Sequence, residues 1–466
     1  MLFNSLSFLY FFCVVVIVFF SLPHRYRWML LLAASYFFYA YWKLEYLVLI
    51  VFSTLVDYAV ALKMEKASTP AYKKAFLWLS IALNLGVLVL FKYSGFLGNS
   101  LATIFPSLSD QNLLIYNLVL PVGISFYTFQ SMSYSIDVYR GQKKAEKHLG
   151  IFALYVSFFP QLVAGPIERS TSLLPQFFKK QEINQERILS GLSQILRGFF
   201  KKLVVADRLA IYVDAIYNNY DNHSGLSLAL ATFFFAFQIY CDFSGYSDIA
   251  IGSARVLGYD LMENFKRPYF AKSVRTFWSR WHISLSTWFR DYLYIPIGGN
   301  RVVKWRMHYN LMVVFLVSGL WHGANWTFVF WGGLHGLYLI FELLFPLNIS
   351  RFNSVLGQGL KMVKTFVLVC LAWVFFRSES IDQAFEIIHK IVSFKGSLYF
   401  GGQSNFIYAV IALFLLLLVE VKQEWLPSKA SKQLFTYQWG IKYLVIFVLI
   451  LLLGVFDKGQ FIYFQF

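Results

Sequence analysis

Three of the eight histidines in this 466-residue chain, His282, His322 and His335, lie in apolar surroundings. Imidazole titrates at about pH 6.5, so it can take up or release a proton near neutrality, which makes histidine the usual general base or acid. Inside hydrocarbon a neutral imidazole is costly unless it is paired or faces water, so such a residue is a functional candidate by default. His322 stands in VSGLWHGANW (317–326), where Gly319 and Gly323 permit close helix approach and Asn325 and two tryptophans add polar groups and stackable surface. The plain alternative is a histidine hydrogen-bonded between packed helices.

His282 stands in FWSRWHISLSTWFRDY (277–292). At 100° per residue one continuous helix would put His282, Ser286 and Phe289 on one face and Trp281, Leu285 and Trp288 on the next. Arg280, Arg290 and Asp291 would be prohibitive at mid-membrane, so this helix is expected to lie shallow or to line a water-filled cavity. An interfacial aromatic belt accounts for Trp278, Trp281 and Trp288 without any function. His335, in WGGLHG (331–336), would not share a face with His322 on a continued helix, and a packing role is expected for it. His24, His148, His223 and His389 sit in charged or polar flanks and read as solvated loop residues; His308 follows a basic turn and reads as interfacial.

The acids are fewer and more telling. Gln238, Asp242 and Asp248 interrupt the apolar stretch Leu226–Ile251, and the first two fall four residues apart, giving a helix one polar face. No Gly-x-Ser-x-Gly elbow accompanies them, which argues against a serine hydrolase. The basic and acidic companions of a prenyl pyrophosphate site are not grouped nearby, so a hydrogen-bonded scaffold around a cavity is expected. Cys13, Cys241 and Cys370 are far apart and form no ligand pair, so no metal site and no disulfide framework is expected.

The elements that must position these groups are set by composition. The chain is 58% hydrophobic, 20% aromatic and only 14% charged, whereas a soluble chain carries about a quarter charged residues. That excludes a soluble enzyme, a disordered chain and a nucleic-acid-binding domain. The expected fold is all-α: a polytopic membrane protein with about ten to twelve crossings, on the rule of about twenty apolar residues per span. The opening run Ser7–Leu22 reads as a retained first span. The net charge of +17 reads as cytoplasmic loops and not as a nucleic-acid footprint. Cationic residues follow the first, third and fifth apolar runs (Arg25, Arg27; Lys63, Lys66, Lys73, Lys74; Arg140, Lys143, Lys144, Lys147), while the loops around Lys43–Glu45 and Lys92–Gln111 are nearly uncharged. That side is expected to be cytoplasmic and the N-terminus outside.

Two segments depart from simple spans. The run Ile151–Ala164 is short and ends in Gly165-Pro166, the pattern of a re-entrant element. The region Arg187–Arg208 places Arg197, Lys201 and Lys202 among apolar residues at helical spacing, which predicts an amphipathic helix with a basic face in the plane of the interface. No internal repeat is visible, so inverted-repeat transporters find no support. The whole of 1–466 reads as one domain.

At this point the motifs themselves carry a resemblance. The blocks Gln238–Asp248, Trp278–Arg301 (ending YIPIGGNR), Gly319–Trp326 and Trp331–Gly336 are similar to those of the membrane-bound O-acyltransferase family. So are the opening MLFNS, PVGISFYTFQ (121–130), VAGPIE (163–168) and the ending FIYFQF (461–466). More closely, they resemble the bacterial alginate O-acetyltransferase branch, related to the D-alanyl transfer protein of teichoic acid modification.

The resemblance spans essentially the whole chain. It implies an enzyme of the bacterial inner membrane, with re-entrant and interfacial helices around a central funnel, that transfers an acyl group across the bilayer. The positions matching the family's two funnel histidines are His282 and His322, and His322 matches the active-site residue. His322 is expected to take the acceptor hydroxyl's proton while His282 orients or polarises the reacting groups; an acyl-histidine relay stays open. The implied donor is acetyl-CoA or a thioester on a phosphopantetheine-bearing carrier protein, a substrate and not a bound cofactor. The basic face of Arg187–Arg208 either attracts that anionic donor or anchors the chain to lipid. The implied acceptor is a polysaccharide, or a periplasmic or surface acyltransferase that completes the transfer. Two readings from other classes stand beside it: a lipid or sugar transporter or flippase, and a non-catalytic membrane scaffold for a partner acyltransferase.

Overall fold

The computed structural model describes residues 1–105, 119–163, 165–345, 355–426 and 437–456, and among them every regular element is helical. Ala164, the ending 461–466 and residues 113–118 of one expected apolar run lie outside the described residues. Six helices have the length and apolar composition to cross a bilayer: Leu44–Lys66, Pro70–Ile104, Gly225–Leu257, Trp326–Leu344, Val355–Arg377 and Gln403–Trp425. Three shorter apolar helices accompany them, Leu6–Ser21, Leu149–Leu162 and Gly440–Leu453. The chain is a multi-pass membrane protein. These counts are of the described residues. Over Lys92–Gln111, expected as a loop, the helix instead runs on to Ile104 through a widened turn at Val89–Tyr93.

Two compact units are interleaved along the chain, Met1–Leu192 with Ala250–Met262, and Ser193–Ile249 with Glu263–Phe466. The first is tied together by a buried carboxylate. Asp57, on the helix Leu47–Lys66, accepts hydrogen bonds from Ser80, from Asn84 Nδ2 at 3.1 and 2.9 Å, and from Ser135 at 3.2 Å. Neutral donors on two further helices thus satisfy a fully buried carboxylate.

In the same unit the expected re-entrant run is a broken helix, Leu149–Ser157 followed by Phe159–Leu162, with Pro160 in the first turn of the second piece. Residues 151–163 are all buried. Interrupted backbone of this kind is tolerated at apolar depth only when protein surrounds it, and here Gln130 and Gln161 both donate to the Tyr155 carbonyl at the break. Just beyond, Glu168 accepts the Met262 N–H at 2.6 Å, and burial pushes its carboxyl up to about 7.

The second unit corrects the reading of the basic segment. The helix Gln185–Phe199 passes through a widened turn, Phe200–Ala206, into Asp207–Tyr217. Its lysines do not face lipid. Lys202 is 1% exposed and bonded to Asp242 and, at 2.8 Å, to Asp207. Lys201 meets Asp248 at 2.7 Å, which also accepts from Gln194. Two acids on the polar face of Gly225–Leu257 are therefore paired with lysines of the basic segment, Asp248 with Lys201 at a part-buried site and Asp242 with Lys202 in the interior. Burial alone would make charged lysine unstable here, and the opposing carboxylates hold both amines protonated.

Candidate active site

His322 is the last residue of the helix Lys304–His322. The extended residue Gly323 ends that helix, and Asn325 caps the next, Trp326–Leu344, by accepting the Thr327 N–H at 3.0 Å. A three-residue link therefore folds the two into a hairpin. Its arms meet closely: a methyl group on Gly319 would sit 2.2 Å from the Phe328 carbonyl oxygen. The hairpin fixes the depth of His322 and the placement of Trp331, whose ring centre lies 5.0 Å from the imidazole.

His282 is not inside a helix. Val274–Trp278 and Ile283–Phe289 are separate, and His282 occupies the cap of the second with left-handed backbone, φ 42° and ψ 54°. The expected continuous helix over 277–292 is thus broken at 279–282. The break is held by backbone pairing with a preceding segment: Lys266 N–H to Arg280 O and Ile283 N–H to Asn264 O, both 2.9 Å. Periodicity sees side-chain pattern, and a left-handed residue leaves that pattern intact. The same break turns Trp278, Trp281 and Trp288 into the protein interior, so they form no lipid-facing belt. Arg280 is balanced by Glu424 at 2.9 Å, which also accepts from Arg267 at 2.7 Å. Arg290 pairs with the adjacent Asp291, in a widened turn at Arg290–Tyr294.

Forty residues apart in sequence, His282 and His322 have ring centres 6.3 Å apart, inclined by 65°. That is beyond direct hydrogen-bonding reach and close enough for one small group to touch both. His282 is 0% and His322 2% exposed. Phe243 lies 4.6 Å and Trp321 6.0 Å from His282, while Trp321, Trp331 and Phe376 lie 5.1, 5.0 and 5.7 Å from His322. Burial pushes the His282 imidazole down to about 3, so the ring is neutral at physiological pH. The two imidazoles thus sit, buried, within a wall of aromatic rings.

His335 stands apart from the pair. Its Nδ1 accepts the Trp278 indole N–H at 3.3 Å and its ring stacks on Phe277. Trp331 lies between it and His322, 5.0 Å from each. Asn264, absent from the sequence-based candidates, lies against His282: its Oδ1 is 3.2 Å from Nδ1. A lone asparagine in a polar loop carries no spacing signal.

Residues 148–381 match the model of the membrane-bound O-acyltransferase family. A "Probable alginate O-acetylase" of Azotobacter vinelandii is 40% identical over 396 residues, covering 84% of this chain and 78% of that protein. The chain belongs to the membrane-bound O-acyltransferase family. A peptidoglycan O-acetyltransferase of Helicobacter pylori is 37% identical over 392 residues, covering 78% of this chain and 74% of that protein. A teichoic acid D-alanyltransferase of Bacillus subtilis is 26% identical over 281 residues, covering 57% and 70%. This membrane-bound O-acyltransferase is therefore an enzyme, and the matched region contains both members of the buried histidine pair.

Proposed function

We propose that this acyltransferase moves an acetyl group from a cytoplasmic thioester, acetyl-CoA or an acyl carrier protein, to hydroxyls of an exported polysaccharide, directly or through a partner acyltransferase. The N-terminus lies outside, and the cationic loops mark the donor side. The observation that carries the chemistry is the adjacency of His282 and His322 inside an aromatic enclosure. The acceptors named for the relatives, alginate and peptidoglycan, support a polysaccharide.

In the proposed step the acceptor oxygen attacks the thioester carbonyl while His322 takes its proton. The C–O bond forms, the C–S bond breaks, and the proton passes from His322 to the departing thiolate. His282 orients the reacting groups. General-base catalysis of this kind is worth about 10² to 10⁴-fold, and holding the reactants together supplies much of the remainder.

Purified enzyme in proteoliposomes with acetyl-labelled donor tests the reading. Label is expected to reach a polysaccharide acceptor, and His322→Ala is expected to abolish the transfer. Full transfer by His322→Ala would remove His322 from the chemistry, and substrate movement without covalent product would replace the enzyme with a carrier.

A further inference from the structure

Asn264 makes contacts that bear on an atomic detail of His282. Its Oδ1 accepts the Ser284 backbone N–H at 3.2 Å and the Ser284 hydroxyl at 2.9 Å, and lies 3.2 Å from His282 Nδ1. A backbone N–H can only donate, so the amide atom facing it is the oxygen and not the nitrogen. An acceptor oxygen at 3.2 Å from Nδ1, nearer than the Ser284 hydroxyl at 3.5 Å, favours the tautomer in which Nδ1 carries hydrogen. In the neutral ring the lone pair is then on Nε2.

The arrangement is braced on several sides. The Asn264 carbonyl accepts the Ile283 N–H, and its Nδ2 donates to Ser247 Oγ at 3.4 Å on the helix Gly225–Leu257. Ser247 thus joins the acid-bearing block to the histidine through one amide. The left-handed backbone of His282 is a strained conformation, kept where surrounding contacts over-determine it.

We propose that Asn264 is a positioning residue that locks His282 in the tautomer protonated on Nδ1, so that its Nε2 faces substrate as a hydrogen-bond acceptor. The proposal rests on the acyl-transfer reading and narrows it. A neutral His282 in this tautomer cannot donate to a thioester carbonyl from Nε2. It instead receives an O–H or N–H of the bound substrate, a hydroxyl of a sugar or an amide of a pantetheine arm. His282 orients; it does not polarise.

The test combines nitrogen NMR of ¹⁵N-histidine-labelled full-length enzyme with acyl-transfer kinetics in proteoliposomes. The His282 signals, assigned by their loss in His282→Gln, are expected to show a protonated Nδ1 and an unprotonated Nε2. Asn264→Leu is expected to mix the tautomers and lower kcat by about 10- to 100-fold, the usual loss when a ligand-orienting partner is removed, with the donor KM little changed. Asn264→Asp keeps the acceptor oxygen and is expected to restore most of kcat. Its carboxylate also favours imidazolium, so the acid limb of the kcat/KM profile moves to higher pH.

A protonated Nε2 in the wild type would overturn the proposal, as would wild-type kcat in Asn264→Leu. If Asn264→Leu does not fold, the wild-type spectrum and the Asn264→Asp pH profile still decide. His322→Ala, assayed alongside, separates the two readings: its full activity sinks the assigned acyl-transfer chemistry while leaving the tautomer to the spectrum.

Discussion

Gly332 lies so near Phe315 that a methyl group on it would come 2.2 Å from the Phe315 carbonyl oxygen, and 3.1 Å from Gly319 Cα. The hairpin that ends in His322 is therefore packed backbone to backbone. Gly332→Ala must push the arms apart, and overpacking of this kind costs about 1–3 kcal/mol. The expected result is a lower unfolding midpoint in detergent together with reduced transfer. A variant with unchanged melting would show that the arms can yield.

The histidine pair predicts unequal losses. His322→Ala should reduce kcat by about 10² to 10⁴-fold, the range for a general base. His282→Gln keeps an amide oxygen and nitrogen near the former Nε2 and should retain more activity than His282→Ala. Single-turnover assays with labelled donor would measure this order, and equal loss in the two His282 variants would contradict an orienting role.

Lys202 holds two buried carboxylates, Asp207 and Asp242. Lys202→Met removes the cation they share, and breaking a buried pair in this way typically costs about 3–5 kcal/mol. Adding Asp242→Asn should recover part of the loss. Lys180→Ala, at an exposed pair with Glu182, should change stability by less than about 1 kcal/mol. Thermal unfolding of the four proteins is the measurement; equal effects at Lys202 and Lys180 would refute the network's importance.

Glu168 predicts a pH dependence. Its carboxyl is raised from the ordinary 4.5 to about 7 by burial, so between those values the folded state holds a proton that the unfolded state has already released. Its contribution is favourable below about pH 4.5, falls as pH rises, and is lost above about pH 7. The slope between the two is about 1.4 kcal/mol for each pH unit crossed. Glu168→Gln keeps an oxygen for the Met262 N–H and should flatten the melting midpoint between about pH 5 and 8. A wild-type midpoint that rises through this range would reverse the sign and reject the account.

The helical membrane class was readable from composition, because spans need long apolar runs and charged residues are costly inside them. The polar positions Asp242 and Asp248 were visible for the same reason. Their partners were not: Lys201 and Lys202 lie some forty residues earlier in sequence, and a basic stripe looks alike whether it faces lipid headgroups or buried acids. Nor was the break before Ile283, since one left-handed residue disturbs no periodicity. The resemblance singled out His282 and His322, whereas Asn264 emerged only when backbone pairing brought 264 beside 283.

The widened turn Phe200–Ala206 holds an extra residue over the rise of an α-helix, and so shifts by about 100° which later sequence positions fall on a given face. It is a phase shifter. Removing a single residue there would let the stretch close into ordinary α-helix with Asp207 and the helix it begins on their present bearing, while Lys201 and Lys202 within it would be displaced. A natural sequence shortened by one residue at this point would have to re-pair its lysines.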